Sequence, residues 1–412
     1  MHVFLKNQDR VYDLTNKSLQ FIILFPTKDY MKKIVFIQPD LSISGLSKSL
    51  VELLHVIPLN EYEVHVGLYS MVGEFLPQLP HEIHIHKIDS MYHVSSGQFF
   101  FSLLKSFRLV DAFVFLVASL HDKFNAKRYW IFHHKYKDAP YFMNGELFDM
   151  VISYNARTEI CSYYAMEKVR AKVKCFWIHQ DVSYITNRFE IMNRFGRECS
   201  KIFLPCEEAK RRFDLVFPNL KDKSDVFYCI ISVEKILRLA IQGETFDDSF
   251  DGKRLLTVGR LSDEKGQKMA IRSLKILLDK GNKVKWYFIG DGKDKDVCKQ
   301  LATELGVENN VVFLGANTNP YRYMQDCDVY VQPSLSESFC MTLTEVLCFG
   351  NPIVCTNFCG VEQLKGRANG YIVDISVEAL ADGVEKALLA PKLDVSPKQR
   401  TPDTDKLFSL IQ

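Results

Sequence analysis

The sequence lacks the features that identify several other classes of protein. It has no run of 18 consecutive apolar residues, so we expect no membrane-spanning helix. The stretch most similar to a membrane-spanning helix, residues 109–120, is too short and contains Asp111. It also lacks an excess of either charge, since 52 Lys and Arg and 50 Asp and Glu leave a net charge of +2. A general affinity for nucleic acid is therefore not expected.

Paired cysteine motifs are absent as well. The eleven cysteines include no CxxC pair, and the closest two, Cys355 and Cys359, stand apart from other metal-ligating residues. No secretory signal precedes them, because the apolar run at residues 19–25 is not followed by a small-residue cleavage site. We therefore expect reduced thiols and a cytoplasmic protein.

The first 30 residues differ from the rest of the chain. They are largely polar around that single apolar run, whereas Met31 opens MKKIVFIQPD, which is typical of the first strand of an α/β protein. We interpret residues 1–30 as an extension that need not be native: either Met31 is the true start, or residues 1–30 are loosely attached to the rest of the chain.

Short apolar runs alternate with helical patterns along the remainder, which favours an α/β fold with parallel sheets covered on both faces. The acidic stretch at residues 243–253 separates two such series. We predict two Rossmann-like domains, an N-terminal one at 31–235 and a C-terminal one at 236–412 that includes a C-terminal tail. Ligands of open α/β sheets bind at the carboxyl ends of the strands, so the cleft between the units is the predicted site.

Two motifs in the second unit could carry chemistry. In VGRLSDEKGQK, Arg260 and Lys265 stand between a strand and a helix, where cations and free backbone N–H groups can hold a phosphate. The alternative is a charged surface turn. In ESFCMTLTE, Glu337 precedes a helix and Glu345 lies within it, pointing away from the apolar stripe of Leu343. Viewed alone, both carboxylates could merely complement the helix dipole.

The order of these motifs is more specific than any one of them. Strand–GR–K–helix, GDG, VFLG, DVYVQPS, two glutamates eight positions apart, and NPIV–T follow each other from residue 254 to 375. This order resembles glycosyltransferase family 4, retaining GT-B transferases that act on bacterial polysaccharides and cell-surface glycans. The resemblance covers residues 31 to about 390, and it implies two Rossmann-like domains that face a central cleft. The domain at 31–235 would be the acceptor-side domain, and the domain at 236–412 would bind the donor nucleotide.

The resemblance also implies a role for each matching residue. Arg260 and Lys265 would bind the donor diphosphate, Glu337 the donor sugar and Glu345 the ribose hydroxyls. His179, at the end of the strand-like FWIHQD, would be a catalytic residue near the sugar together with Glu337. The other donor-binding positions would be Gly45 in a glycine loop, Gly315 beside the nucleobase, and the backbone of Phe339, Cys340 and Met341.

The reaction implied is transfer of a hexosyl group, with retention, from a nucleoside diphosphate donor such as a UDP-sugar. Neither a metal nor another cofactor is implied. The acceptor would be a glycan or a lipid-linked saccharide. Residues 97–137 interleave aromatics with Lys and Arg, so they could contact the inner face of the plasma membrane peripherally. The alternative for this stretch is a pair of buried helices.

Other interpretations remain open at this point. The DxD patterns at Asp294–Asp296 and Asp326–Asp328 occur in metal-dependent transferases, but we expect helix caps and turns there. His84 and His86 share one face of a strand, where an edge strand is a simpler explanation than a metal site. The protein could also be a UDP-sugar 2-epimerase-like enzyme, or a non-catalytic partner of another transferase.

Overall fold

The computed structural model describes residues 6–7, 10–11, 31–88, 96–105, 108–125, 133, 136–155, 159–179, 182, 189–397 and 403–412. Two parallel sheets organise this part of the chain, as predicted for two doubly wound units. Of the predicted extension, only a small antiparallel pair is described, formed by β1 (Lys6–Asn7) and β2 (Arg10–Val11). The rest of residues 1–30 lies outside the described residues.

The N-terminal sheet has seven parallel strands in the order β5-β4-β3-β6-β7-β8-β9. Their bounds are β3 Lys32–Gln38, β4 Tyr62–Leu68, β5 His84–Lys87, β6 Leu147–Ser153, β7 Arg170–Trp177, β8 Lys201–Leu204 and β9 Ser224–Val226. The first six match the predicted strands. The sequence analysis missed β9, because three residues are too few to show a pattern.

The C-terminal sheet has six parallel strands in the order β12-β11-β10-β13-β14-β15. Their bounds are β10 Lys253–Val258, β11 Val284–Ile289, β12 Val311–Gly315, β13 Val329–Gln332, β14 Ile353–Thr356 and β15 Gly370–Val373. In both sheets the strand order reverses beside the first strand, which is the Rossmann arrangement.

Helices cover both faces of the sheets. Their bounds are α1 Gly45–Leu54, α2 Ser96–Lys105, α3 Leu109–Asn125, α4 Glu159–Glu167, α5 Phe189–Glu198, α6 Glu207–Val216, α7 Val233–Gln242, α8 Gln267–Asp279, α9 Lys295–Glu304, α10 Tyr321–Asp326, α11 Met341–Val346, α12 Val377–Leu388 and α13 Asp405–Phe408. Alternate residues of β3 show that both faces of the sheet are buried. Ile34 and Phe36 pack in one apolar cluster while Val35 and Ile37 pack in another. The continuous apolar run is therefore buried on both sides, as expected for parallel sheets.

The two sheets fall on either side of the predicted domain boundary at residues 235 and 236. Two helices nevertheless link the two domains, one between the sheets and one at the C-terminal end. Helix α7 crosses that boundary. The C-terminal α13 returns to the N-terminal sheet, where Phe408 stacks on Tyr62 with ring centroids 4.2 Å apart. The predicted C-terminal tail thus packs on the first domain.

Helices α2 and α3 project an apolar surface into solvent. Leu103, Ala112 and Phe115 pack between the two helices. Seven other apolar side chains of the pair are exposed, namely Phe101, Leu104, Leu109, Val110, Phe113, Leu116 and Val117. The alternative of two buried helices is therefore correct about the helices and wrong about their burial. Residues 126–132, 134 and 135 lie outside the described residues. Within the described part of the chain, no helix is long and apolar enough to cross a membrane.

Candidate active site in the cleft between the sheets

The carboxyl ends of both sheets face one cleft of about 1100 Å³. Because parallel strands all end at the same edge, the loops after β3, β7, β10, β11, β12 and β13 meet there. Both domains line the cleft. The N-terminal domain contributes residues 42–46, Lys48 and His179, and the C-terminal domain contributes residues 258–260, 263–265 and 335–342. The structure thus brings the predicted site residues of the two halves together.

Lys265 is placed by a short turn after β10. Residues Asp263–Lys265 form a 3₁₀ turn that ends at Gly266, whose φ is 72°. A Cβ at Gly266 would lie 1.9 Å from the carbonyl oxygen of Pro333, so only glycine allows this close approach of the two loops. The turn is thereby fixed against the loop that carries Glu337.

Lys265 and Glu337 form an ion pair at the floor of the cleft. Lys265 Nζ lies 2.5 Å from Glu337 Oε1, and the glutamate side chain is only 11% exposed. Ser334 Oγ donates to the same carboxylate oxygen over 3.0 Å. Burial opposes the charge of Lys265, but the neighbouring carboxylate outweighs burial and raises the pKa of the lysine. Lys265 therefore stays charged, and its contact with Glu337 fixes both side chains for interaction with a charged ligand.

Arg260 supplies a second cation beside this pair. It is exposed, lies directly after β10 and lines the cleft. Its backbone carbonyl accepts a hydrogen bond from Gln267 Nε2 over 2.8 Å, which anchors the turn to α8. Among the described residues its guanidinium has no recorded ion pair. Arg260 can therefore turn towards an anion in the cleft.

The segment between the two glutamates is buried, unlike an ordinary surface loop. Phe339, Cys340 and Met341 line the cleft and are each less than a tenth exposed. Cys340 precedes α11 with φ of 65°, a left-handed conformation that costs a non-glycine residue free energy. Burial raises the pKa of its thiol to about 12, so Cys340 is protonated at neutral pH. Strain of this kind is concentrated at functional sites.

Glu345 is more buried than its sequence pattern suggests. It does point away from the Leu343 stripe, but its side chain is only 3% exposed because Lys48 covers it. Lys48 Nζ donates to Glu345 Oε1 and to the hydroxyl of Tyr321. The sequence analysis missed Lys48 and Tyr321. No local signal marks them, since the three residues are far apart in the chain.

His179 follows β7 and faces the cleft from the N-terminal domain. Its ring is parallel to that of Trp177, with centroids 5.8 Å apart, and lies 4.6 Å from the ring of Tyr154. Nε2 is buried and has no hydrogen-bond partner among the described residues. Its backbone carbonyl accepts from Ser338 Oγ of the C-terminal domain, which ties His179 to the Glu337 loop. Gln180 and Asp181, its predicted polar neighbours, lie outside the described residues.

The two glycines predicted to bind the donor, Gly45 and Gly315, lie in different parts of the structure. Gly45 begins α1 on the cleft wall, and a Cβ there would lie 3.4 Å from Met341 Cγ, so the glycine loop packs against the start of α11. Gly315 ends β12 with φ of 81°. Its carbonyl accepts from Gly290 N over 2.7 Å, while the next three residues, 316–318, line the cleft.

The aspartates of the two DxD patterns are engaged elsewhere. Asp326 pairs with Arg322 and Asp328 with Lys253, while Asp294 precedes α9 and lies near Lys268. These positions are the turns and helix ends that we expected. Within the described residues no cluster of three or more His, Cys, Asp or Glu side chains has the geometry of a metal site.

A histidine in this environment should stay neutral over the physiological range. Burial lowers the pKa of His179 to about 3 from its ordinary 6.5. The unfolded chain binds the proton more readily, so this residue should cost the fold stability as the pH falls below 6.5. We expect the ring signals of His179 in ¹³C-histidine NMR, assigned by their absence in His179→Gln, to stay constant from pH 8 to pH 5. A titration midpoint near 6.5 would contradict the burial of Nε2.

Known proteins resemble this chain in sequence over part of its length. Residues 247–404 match the family model for glycosyl transferases group 1. Over 249 residues the chain is 28% identical to the N-acetylgalactosamine-N,N'-diacetylbacillosaminyl-diphospho-undecaprenol 4-alpha-N-acetylgalactosaminyltransferase of Campylobacter jejuni, covering 56% of this chain and 64% of that enzyme. Over 169 residues it is 29% identical to an uncharacterized glycosyltransferase of Methanocaldococcus jannaschii, covering 40% and 41% of the two chains. The match thus spans less than two thirds of either relative.

The fold resembles solved structures over most of the chain. The crystal structure of HepE of Anabaena in complex with UDP-glucose superposes with a TM-score of 0.62, covering 87% of this chain and 90% of that one at 19% identity. At this identity the likeness concerns the fold. The C-terminal part of this chain, residues 247–404, is similar in sequence to the glycosyl transferases group 1. The protein has the GT-B fold of two Rossmann-like domains around a cleft.

Proposed function

We propose that the protein is a retaining glycosyltransferase that moves a hexosyl group from a nucleoside diphosphate donor, such as a UDP-sugar, to a glycan or lipid-linked saccharide. The observation that carries this proposal is the Lys265–Glu337 ion pair in the cleft that Arg260 and His179 also line. The names of the relatives support it, since one structural neighbour holds UDP-glucose and one relative acts on a diphospho-undecaprenol saccharide.

The donor diphosphate would lie between Arg260, Lys265 and the start of α11. Two cations next to free backbone N–H groups favour an anion with several oxygens. The residues after Gly315 would border the base, and Glu345 would accept the ribose hydroxyls. Glu337, held by Lys265 and Ser334, has the remaining capacity of its carboxylate for hydroxyls of the donor sugar.

The chemistry requires stabilisation of a departing diphosphate. The bond from the anomeric carbon to the phosphate oxygen breaks with its electron pair leaving on the phosphate, and an acceptor oxygen forms the new bond on the same face. The acceptor proton passes to the leaving phosphate oxygen. Arg260 and Lys265 would stabilise the growing negative charge electrostatically, so no resident metal is required in this proposal. Neutral His179, which lines the cleft, would lie beside the donor sugar.

The α2–α3 pair would bring the cleft to a membrane that carries the acceptor. Phe101, Val110 and Phe113 are each more than 60% exposed, which is unusual for such large apolar side chains. Residues 96–137 hold seven Lys or Arg and two Asp, a net charge of +5 in a chain whose total is +2. An apolar face within a basic segment fits an anionic lipid surface. These features support the proposal that a cytoplasmic protein binds peripherally to the inner face of the plasma membrane.

The first prediction from this proposal separates nucleotide binding from turnover. Screening nucleotide sugars and UDP by thermal shift should reveal stabilisation, because a ligand that binds only the folded state raises the melting temperature. Arg260→Met should lose most of that shift because the diphosphate loses a cation. Glu337→Gln should keep the shift for UDP but lower kcat at least tenfold with the stabilising donor, about 1.4 kcal/mol of barrier.

Arg272→Met is the matched control, because Arg272 is an exposed arginine on α8 outside the cleft. It should retain both the shift and the turnover. Unchanged turnover in Arg260→Met and Glu337→Gln would remove both from the site. Release of a free epimerised sugar without acceptor would favour the 2-epimerase-like alternative. Nucleotide binding with no transfer to any glycan or lipid-linked acceptor would favour the non-catalytic partner.

A second prediction concerns metal ions. Because the cations in the cleft would neutralise the leaving group, turnover should be the same after treatment with EDTA as before it. The measurement is the initial rate with the stabilising donor, with Mn²⁺ or Mg²⁺ added back in parallel. Complete loss in EDTA and recovery with Mn²⁺ would show that the reaction needs a divalent ion.

The third prediction concerns the membrane surface. The protein should float with liposomes that contain anionic lipid at low salt, and Phe113→Glu should reduce the floated fraction because it places a negative charge on the exposed apolar face. Leu389→Glu is the matched control, since Leu389 is 87% exposed at the end of α12. Equal flotation of both variants, or none by the unaltered chain, would exclude this face as the membrane contact.

A further inference from the structure

One buried cluster in the cleft joins the two domains through a single lysine. Lys48 belongs to α1 on the N-terminal sheet, whereas Tyr321 and Glu345 belong to α10 and α11 of the C-terminal sheet. Lys48 Nζ donates to both the tyrosine hydroxyl and the glutamate carboxylate. It also lies 4.6 Å from the centroid of the Tyr321 ring. The side chain that neutralises Glu345 therefore comes from the opposite domain.

The buried Lys48–Glu345 ion pair stabilises the contact between the two domains, and it depends on that contact. Glu345 is 2% exposed, and a buried carboxylate without a partner would cost several kcal/mol. Among the described residues, Lys48 is the recorded hydrogen-bond donor to its side chain. Burial opposes the charge of Lys48, yet Glu345 and Tyr321 together outweigh it and raise the pKa of the lysine. Separation of the domains would leave the Glu345 carboxylate without this partner.

The geometry leaves part of the carboxylate available. Lys48 contacts Oε1, while an ionised carboxylate has about four acceptor positions on its two oxygens. A vicinal diol donates two hydrogen bonds and needs a carboxylate held in one orientation. Both Lys48 and Glu345 line the cleft, next to Gly45 and Met341. The lysine thus holds the orientation of the group that faces the ligand.

We propose that Lys48 is a positioning residue for the ribose of the donor: it fixes the Glu345 carboxylate for the two ribose hydroxyls and couples their recognition to contact between the domains. This inference rests on the proposed function, since it assumes that a nucleotide occupies the cleft. It adds a residue from the N-terminal domain to a subsite otherwise built by the C-terminal domain.

A second buried ion pair of α1 provides a matched control. Lys235 of α7 pairs with Glu52 of α1, with Nζ 2.7 Å from Oε1, and the Glu52 side chain is 7% exposed. This pair also holds α1 against a neighbouring element, but it borders a smaller cavity and lies outside the lining of the main cleft. Loss of either lysine removes one buried ion pair of α1, and only Lys48 contacts Glu345.

The test measures binding of UDP, 2'-deoxy-UDP and 3'-deoxy-UDP by calorimetry. Lys48→Met should bind UDP about tenfold more weakly than the unaltered chain, equivalent to about 1.4 kcal/mol. It should lose less affinity for each deoxy analogue than for UDP, because each analogue already lacks one of the two hydroxyls that would donate to Glu345. Lys48→Arg should restore part of the UDP affinity. Lys235→Met should bind all three nucleotides within about twofold of the unaltered chain.

The outcomes separate this inference from the proposed function. If the unaltered chain binds none of the three nucleotides, both are overturned. If it binds UDP, but Lys48→Met binds UDP equally well or loses the same factor for UDP and both analogues, only the role of Lys48 is overturned. Should Lys48→Met fail to fold, Lys48→Gln keeps a donor to Glu345 without the charge, and the same comparison applies to it.

Discussion

Strand direction is the constraint on which the rest of the structure depends. Every pairing in the two large sheets is parallel, so each sheet presents all of its carboxyl ends at one edge. Loops that are distant in sequence must then meet, and the two edges face each other across the cleft. His179 and Glu337 are 158 positions apart, yet the loops that carry them are joined by the Ser338–His179 hydrogen bond.

Compensated charge is the second feature of the site. The cleft is built from buried ion pairs, Lys265 with Glu337 and Lys48 with Glu345, and each pair prevents a carboxylate from being buried alone. Fixed charges in a partly desolvated site act on a ligand without first reorganising. The left-handed backbone at Cys340 adds strain that the packed surroundings maintain. The same contacts thus stabilise the cleft and prepare it for an anionic ligand.

The sequence predicted most strands because helices cover both faces of each sheet. Such strands appear as continuous apolar runs, as residues 34–37 of β3 show. It also predicted the turns that carry Arg260, Lys265 and Glu337, since Gly, Arg and Lys at the end of a strand form a local pattern. It missed β9, which is too short, and for residues 97–137 it left open both membrane contact and two buried helices, whereas the apolar face of α2 and α3 is exposed. Local patterns show that a helix is apolar, and they do not show what covers it.

By itself the sequence determined the α/β class, the two parallel units and the local motifs of the C-terminal half, because hydrophobic period and turn chemistry act over a few residues. Only the tertiary structure decided which charges meet. Lys48 reaches Glu345 across 297 positions and from the other domain. It also decided that the last helix returns to the first sheet through Phe408 and Tyr62. Contacts of this kind depend on how two folded surfaces fit together, and no short stretch of sequence encodes that fit.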